Sequence, residues 1–571
     1  MKSEEVRKIT EYIMKNRYIE LMEKALSAYS DAHIDEYFER VKRDGLTEHG
    51  FARLTSNMGI LISHGRRTDL LPRFLAMMDF CCETVPTRKA ANDFSVRELV
   101  TCIIELEKCG TVDAERINKW KNGLSEIEPY SVYTVIAKDS REKLFNWALF
   151  TGVSEYMRGY IGIADTKETV DTQIATQLRW LDENGMYRDN LIYAPMVYDT
   201  VPRGLFTMLL HFGYNGKYRD EIDSNLKKAG LLSLKMQSVT GEIPFGGRSQ
   251  QYMHNEAWIS VIFEYEARRY KKEGNTELAS KFKAAANRAL DNVEYWFGKE
   301  PIHHIKNRFP LDTKYGCENY GYFDKYMITA ASVLHDASLI CDETIPVGEL
   351  DVSPMIAETS EYFSKIFVRA GGYSLEFEKN SNPLYDADGL GRVQKEGAPS
   401  PICLSVPCPA KPNYKIDSES VISASLTPAV FINQKWVYAT EHNAIIDILS
   451  SSTDDKSATL ELRHDFRGGG IVNVKYTVDK NGVDIKVVGD DDVAFMIPVF
   501  EFDGEKYTEI LRGEGFVEVN YEGYTCRYTT DGKLIDTEKP ARNRNGHYRV
   551  LRAEGKDRMN VKITLDKQRK T

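Results

Sequence analysis

The segment GGRSQQYMHNEAW, which begins at residue 246, concentrates polar and ionisable side chains directly before an apolar stretch. Ser249 can cap the helix that follows, and the planar guanidinium of Arg248 suits a carboxylate or sulfate ligand. His254, Asn255 and Glu256 are consecutive, and because helical residues lie about 100° apart, at most two of them can face one pocket. The cluster predicts a site that binds an anion and relays protons, although His254 alone fits a hydrogen-bonded core equally well.

A second polar segment, DTKYGCENYGYFDKY, holds four tyrosines and three carboxylates. Tyrosine rings stack on sugar faces, and their phenols donate hydrogen bonds or act as acids and bases. Buried aromatic residues at helical spacing usually belong to a core, and we expect this of Tyr326. Tyr320 and Tyr322 are therefore the tyrosines that we assign to a site.

Three other segments carry candidate binding residues. MVYDTVPRGLF places Asp199 and Arg203 on either side of a proline, and Asp199 can simply cap a helix there. FNWALFTG offers Asn146 and Trp147, an amide and an indole of the kind that line sugar sites, although Trp147 also suits a core. Arg392, in YDADGLGRVQKEGAPS, belongs either to a surface turn or to a loop that covers the site.

The elements that must position these residues are helices over the first two-thirds of the chain. One-sided helices, such as the one predicted over 275–298 with Phe282, Ala289 and Trp296 on its apolar stripe, alternate with helices that are apolar all round. Each apolar helix follows a polar loop, and the loops lie roughly 50 to 75 residues apart, the length of a helical hairpin. This period predicts a toroid whose inner helix starts surround a funnel. The loops lie near Ser95, Asn146, Arg203, Ser249 and Tyr322.

From about residue 371 the pattern alternates as in strands, and an Asn481-Gly482 turn between two alternating runs indicates a hairpin. We therefore predict an α+β multidomain protein. Residues 1–370 form an N-terminal (α/α) toroid that carries the site, and residues 371–571 form a C-terminal antiparallel β-sandwich.

Composition excludes several classes of protein. A net charge of −10 over 571 residues argues against a nucleic-acid partner. No apolar run is long enough for a membrane span, and the charged N-terminus lacks the features of a secretory signal. Nine cysteines without paired metal-type spacing fit a reducing compartment. We expect a cytoplasmic protein without a membrane partner, and the sequence leaves a homo-oligomer open.

We expect no cofactor and no metal. The adjacent pair His303-His304 matches no standard metal-ligand spacing, and the glycines near Arg392 lack the strand-to-helix context of a phosphate loop.

Taken together, the toroid, the sandwich, the helix that carries His254 and Asn255, and the tyrosine-rich loop resemble the heparinase II/III-like polysaccharide lyases. The strings GGRSQQYMHNEA, ENYGYFDKYM and DGLGR look still more like the β-glucuronidases of glycoside hydrolase family 154. The resemblance covers nearly the whole chain in architecture. It implies an enzyme that acts on acidic oligosaccharides.

The lyase resemblance implies a tyrosine proton donor, at Tyr315, Tyr320 or Tyr322, with His254 as its partner. Asn255 or Arg248 would then hold the uronate carboxylate. A lyase removes the proton beside that carboxylate, so the site must neutralise its charge.

The sequence departs from the lyases at Glu256 and Glu318. Two carboxylates on facing helix starts are what glycoside hydrolysis requires, one as an acid and one ionised. We therefore expect an exo-acting glycoside hydrolase that removes a uronic acid, with Asp199 as the substitute carboxylate. A lyase and a non-catalytic sugar-binding protein are the alternatives. The residues expected to bind substrate or relay protons are His254, Asn255, Tyr320, Tyr322, Arg248, Arg203, Asn146, Trp147 and Arg392.

Overall fold

The computed structural model describes residues 13–87, 92–189, 195–349 and 351–568. Within these residues, α-helices come first and β-strands follow. In chain order the helices are α1 (Ile13–Ser27), α2 (Asp31–Asp44), α3 (Gly50–Ser63), α4 (Leu71–Thr84), α5 (Asn92–Cys109), α6 (Ala114–Ser125), α7 (Pro129–Val132), α8 (Trp147–Tyr160), α9 (Lys167–Leu178), α10 (Val197–His211), α11 (Arg219–Met236), α12 (His254–Lys272), α13 (Thr276–Phe297) and α14 (Phe323–Ile340).

Six helices form a closed inner ring. In the order α3, α5, α8, α10, α12 and α14, each contacts the next, and α14 contacts α3. The helices α1, α4, α6, α9, α11 and α13 form an outer ring, each packed against a neighbouring inner helix. The predicted (α/α) toroid is confirmed, and it has six inner helices where the sequence indicated five polar loops.

Burial distinguishes the two rings. Residues 50–62 of α3 are all buried, because the inner ring surrounds them on one side and the outer helices on the other. In α13 the predicted stripe of Phe282, Ala289 and Trp296 is buried, and the Asn275 side chain caps its first turn. No described helix is both long and apolar enough to cross a lipid bilayer.

The strands follow the last helix and begin before residue 371. In chain order they are β1 (Met355–Glu358), β2 (Lys365–Ala370), β3 (Tyr373–Glu378), β4 (Gly389–Lys395), β5 (Pro428–Ile432), β6 (Lys435–Tyr438), β7 (Ala444–Thr453), β8 (Ala458–Phe466), β9 (Gly470–Asp479), β10 (Gly482–Gly489), β11 (Val493–Phe502), β12 (Glu509–Gly513), β13 (Phe516–Tyr521), β14 (Tyr524–Thr530), β15 (Lys533–Asn543), β16 (Gly546–Gly555) and β17 (Arg558–Lys567). We call the part of the chain from β1 to β17 the β-region.

The β-region consists of three antiparallel sheets. One holds β1 to β4 in order, a second holds β12-β13-β14-β17-β10-β9-β8-β7, and a third holds β15-β16-β11-β5-β6. Apolar residues of all three sheets share one core, so the predicted sandwich is confirmed. The predicted hairpin is present, but its loop lies one residue earlier than predicted: Asp479 pairs with Gly482, which leaves Lys480 and Asn481 as the two loop residues.

Gly204 marks a close approach within the inner ring. A Cβ at this position of α10 would lie 2.3 Å from Cε3 of Trp258 in α12. We expect Gly204→Ala to lower the free energy of unfolding by about 1–3 kcal/mol, because the packed indole can move only if the two helices separate. Denaturant unfolding measures this change. Gly298→Ala is the control, since a Cβ there comes no closer than 3.2 Å to its neighbours. Equal destabilisation of both variants would contradict the assignment.

Candidate functional site

All six inner helices contribute to one cavity of about 340 Å³. The lining residues lie in the first two turns of these helices or in the loops before them, so the helix N-termini meet at one end of the ring. The polar and ionisable residues that line it are Thr47, Glu48, His49, Arg53, Asn146, Tyr198, Arg248, His254, Tyr320, Lys325, Tyr326 and Thr329. The structure therefore brings the polar loops together as the toroid requires.

Five of the predicted site residues line this cavity. They come from α8 and its cap and from the loops or first turns of α12 and α14, and they are Asn146, Trp147, Arg248, His254 and Tyr320. Trp147 both lines the cavity and packs in the protein interior, since its ring lies edge-on against Phe94 with centroids 4.9 Å apart.

Glu256 lies outside the cavity lining. Its side chain is fully buried, and Lys306 Nζ donates to its Oε1 at 2.7 Å. Lys306 also lies 3.8 Å from Glu242, which belongs to the same buried cluster. Burial raises the pKa of Glu256, although Lys306 opposes the shift. Because Glu256 is two residues after His254, a regular helix turns it about 200° away from the imidazole.

Glu318 is likewise held by other protein groups. Both terminal nitrogens of Arg544 donate to its carboxylate, at 3.1 and 2.5 Å, the Tyr252 hydroxyl donates at 2.9 Å, and the Ser249 N–H donates at 2.7 Å. Burial favours the neutral acid, but the Arg544 guanidinium outweighs it and holds the pKa of Glu318 below its usual value. Glu318 is therefore an ionised, fully hydrogen-bonded carboxylate that joins the α14 loop to the β-region.

Asp199 and Arg203 pair with each other along α10. Both are buried, Arg203 Nε donates to Asp199 Oδ1 at 2.8 Å, and the Tyr187 N–H donates to the same oxygen at 2.8 Å. Arg203 also donates to the Ser233 hydroxyl at 2.9 Å. This pair connects α10 with its neighbours and does not line the cavity.

Arg392 does not cover the funnel. It lies buried in β4, where it donates to Glu376 at 3.0 Å and to the Ile243 carbonyl at 2.8 Å. It thus attaches the β-region to the loop that precedes α12.

Three other predicted residues also lie elsewhere. Asn255 is buried and donates to the Ser249 carbonyl at 3.3 Å. Tyr315 is buried and donates to the Gly546 carbonyl at 3.2 Å. Tyr322 is 46% exposed and lines the neighbouring cavity described below.

Ser249 does not cap α12, which begins five residues later. Its backbone is left-handed, with φ at 62°. Its hydroxyl lies 3.2 Å from the Tyr198 hydroxyl and 2.9 Å from the Tyr320 hydroxyl. A chain of three hydroxyl groups therefore runs along the cavity wall.

The sequence analysis missed the contribution of α3 and misjudged Tyr326. Glu48, His49 and Arg53 line the cavity from the start of α3, the first inner helix in the chain. The signal was present, since TEHGFARL is a polar loop before an apolar helix, one period ahead of the first loop recognised. Tyr326, expected in the core, is half-buried: its ring stacks on Tyr252 and also faces the cavity.

The cavity lining carries three cationic side chains, Arg53, Arg248 and Lys325, and one carboxylate, Glu48, among the described residues. The Arg248 guanidinium stacks over the Tyr198 ring at 3.9 Å. The lining therefore suits an anionic ligand.

Two of these cations are anchored by carboxylates behind the cavity wall. Arg248 pairs with Asp189. Arg53 donates to Glu98 at 3.1 Å and to the Thr329 hydroxyl at 2.8 Å, and Glu98 is shared with Arg97. These contacts fix the guanidinium groups in place, so little side-chain entropy remains to be lost when a ligand binds.

His254 is a neutral imidazole in this environment. Burial, followed by the charge of Arg53, lowers its pKa to about 3. Its ring stacks on Tyr326 with centroids 5.0 Å apart, and its Nδ1 has no hydrogen-bond partner in the protein. Burial raises the pKa of Tyr326 and Tyr320, so both phenols stay protonated. The site thus combines an unprotonated nitrogen with two phenol donors.

A second cavity of about 600 Å³ adjoins the first and shares Thr47 and Glu48 with it. Arg40, Tyr322 and Asp324 contribute to its walls. The two cavities therefore meet at Thr47 and Glu48.

No family model matches the chain, and no curated protein matches it. Among solved structures, a mutant heparan sulfate lyase from Pedobacter heparinus aligns with 91% of this chain and 77% of its own, at 10% identity and a TM-score of 0.49. A chondroitin lyase of the baculovirus envelope, ODV-E66, aligns with 91% and 77% of the two chains, at 9% identity and a TM-score of 0.44. A glycosyl hydrolase of family 88 from Bacteroides vulgatus aligns with 57% of this chain and 99% of its own, at 11% identity and a TM-score of 0.37.

The ion pair between Glu318 and Arg544 can be tested through stability. We expect Arg544→Met to lower the free energy of unfolding by about 3–5 kcal/mol, because it leaves a buried carboxylate without its cation. Denaturant unfolding with Arg549→Met as control measures this, since Arg549 is partly exposed. The double variant Glu318→Gln/Arg544→Met should recover part of the loss. If Arg544→Met and the control Arg549→Met were equally stable, this result would contradict the role of the pair.

Proposed function

We propose that the protein cleaves oligosaccharides that contain uronic acid, by β-elimination in the cavity at the helix N-termini. The observation that carries the proposal is the neutral His254 imidazole stacked on the protonated Tyr326, within a lining that holds three cations. Glu256 and Glu318, the carboxylates required for hydrolysis, are bound to Lys306 and Arg544 instead.

The cations have a direct role in this chemistry. Removal of the proton on the carbon beside a carboxylate creates negative charge that spreads onto the carboxylate oxygens. Arg248, Arg53 and Lys325 would bind those oxygens and stabilise the charge as it develops. Their positions are set before substrate arrives, since Arg248 and Arg53 are anchored by carboxylates.

His254 and a tyrosine would move the protons. His254 accepts the proton as the C–H bond breaks and the C=C bond forms, and a phenol of Tyr326 or Tyr320 donates to the glycosidic oxygen as the C–O bond breaks. An anionic substrate raises the pKa of the nearby imidazole, which strengthens it as a base. The raised pKa of each tyrosine keeps the donor protonated.

The cavity also has the apolar walls that a sugar ring requires. Phe94, Trp147, Phe150 and Trp258 line it, and aromatic rings pack against the C–H faces of sugars. Its volume lies near the lower end of the range for small-ligand pockets. It therefore suits one sugar residue, while the second cavity suits the rest of the chain.

Hydrolysis is the competing reaction. It requires two carboxylates that flank the glycosidic bond, and among the described lining residues Glu48 is the one that qualifies. A non-catalytic binding protein would need the same aromatic and cationic lining but no proton transfer. Product analysis distinguishes the three functions.

We expect uronic-acid oligosaccharides to yield a product with the ultraviolet absorbance of an unsaturated uronate. His254→Ala should lower kcat by about 10²–10⁴-fold, and so should either Tyr326→Phe or Tyr320→Phe, because the affected variants lose a proton-transfer group. Tyr160→Phe is the control, since this tyrosine is exposed and lies outside the cavity lining. New reducing ends without ultraviolet absorbance would indicate hydrolysis, and ligand binding without any product would indicate a binding protein. Either result would contradict β-elimination.

The role of Arg248 can be tested by binding alone. We expect Arg248→Ala to weaken glucuronate binding by roughly tenfold or more, since hydrogen bonds to charged groups contribute about 1.5–3 kcal/mol. Glucose, which lacks the carboxylate, should lose little affinity. Calorimetric titration of both sugars into both proteins makes the comparison. An equal loss of affinity for the two sugars would show that Arg248 shapes the cavity but does not bind the carboxylate.

A further inference from the structure

Three side chains that could bind a metal meet at the other end of the inner ring. His64 directly follows α3, Glu105 lies in the last turns of α5, and His335 lies in α14. One possible ligand atom from each residue lies within 4.8 Å of the other two. These helices are neighbours in the ring, and α3 separates the cluster from the cavity by about 21 Å, the length of its fourteen residues.

His335 is the observation that points to a ligand. Its side chain is only 1% exposed, and its Nε2 has no hydrogen-bond partner in the protein. A buried polar atom without a partner is unfavourable in a folded protein. No hydrogen bond within the described part of the protein satisfies this nitrogen, but a bond to a metal ion would.

We propose that His64, Glu105 and His335 bind one divalent transition-metal ion, with zinc as the best match. Two imidazole nitrogens and one carboxylate oxygen are a recurrent zinc ligand set, and water can complete the tetrahedron. Zinc–ligand distances of about 2.0–2.2 Å require the three ligand atoms to converge on one point. The exposed side chain of His64 can change rotamer to complete this arrangement.

The surroundings of the cluster suit a cation. The C-terminal ends of α3 and α5 carry partial negative charge, which favours positive charge nearby. Lys108 Nζ donates to Glu105 Oε1 at 2.7 Å, so the ion binds through Oε2 or displaces this lysine. Lys108 is mostly exposed and can return to water at small cost.

The ion would connect the last inner helix to the first. His335 and His64 lie on α14 and at the end of α3, whose contact closes the ring. Metal binding there would stabilise the toroid without touching the candidate active site. The proposal is therefore independent of the reaction that the cavity carries out.

Calorimetric titration of chelator-treated full-length protein with zinc chloride tests the site. We expect one zinc ion per chain, and at least tenfold weaker binding in His64→Ala and His335→Gln. His64 is exposed, so its variant should fold even if the His335 variant does not. His211→Ala is the matched control, because it removes a histidine of the helical region outside the cluster.

Two further readouts support or overturn the site. Zinc should raise the thermal midpoint of the native protein and of the His211 variant but not of His64→Ala. Cobalt(II) should give visible absorbance typical of tetrahedral coordination, and this should disappear in the cluster variants. Absence of saturable binding to the native protein, or equal affinities in His64→Ala and the control, would overturn the proposal.

Discussion

The buried ion pair between Glu318 and Arg544 determines how the two halves of the protein meet. Glu318 belongs to the loop before α14, Arg544 to the β-region, and the other donors to Glu318 come from Tyr252 and from the N–H of Ser249. Displacement of any partner leaves a buried charge incompletely paired, which is strongly unfavourable. The loops before α12 and α14 are therefore held together, and this places Tyr320 within hydrogen-bond distance of Ser249.

Buried contacts hold the loop that carries Arg248. Lys306, in the segment between α13 and α14, binds Glu256. Arg392 of the β-region binds both Glu376 and the backbone of that loop. Because these contacts are buried, the loop has little freedom to move when a ligand arrives. The carboxylates near the cavity thus orient the residues that line it, a role that requires them to stay paired with their cations.

The parallel arrangement of the inner helices gives the toroid two ends of opposite character. Helix N-termini surround the cavity, where their partial positive charge adds to Arg53, Arg248 and Lys325. At the other end, helix C-termini lie beside His64 and His335, where partial negative charge favours a cation. One fold therefore presents one end whose charges favour an anion and one end whose charges favour a cation, separated by the length of an inner helix.

The sequence by itself determined the alternation of buried and one-sided helices, the change to strands, and the set of polar loops that includes Arg248, His254 and Tyr320, because hydrophobic periodicity and turn residues act locally. Only the tertiary structure decided which ionisable groups face the cavity. Glu318 finds its cation 226 residues away, and no local pattern predicts such a partner. The same holds for His254 and Glu256: their angular separation follows from helix geometry, but the direction in which α12 presents them depends on the packing of its neighbours.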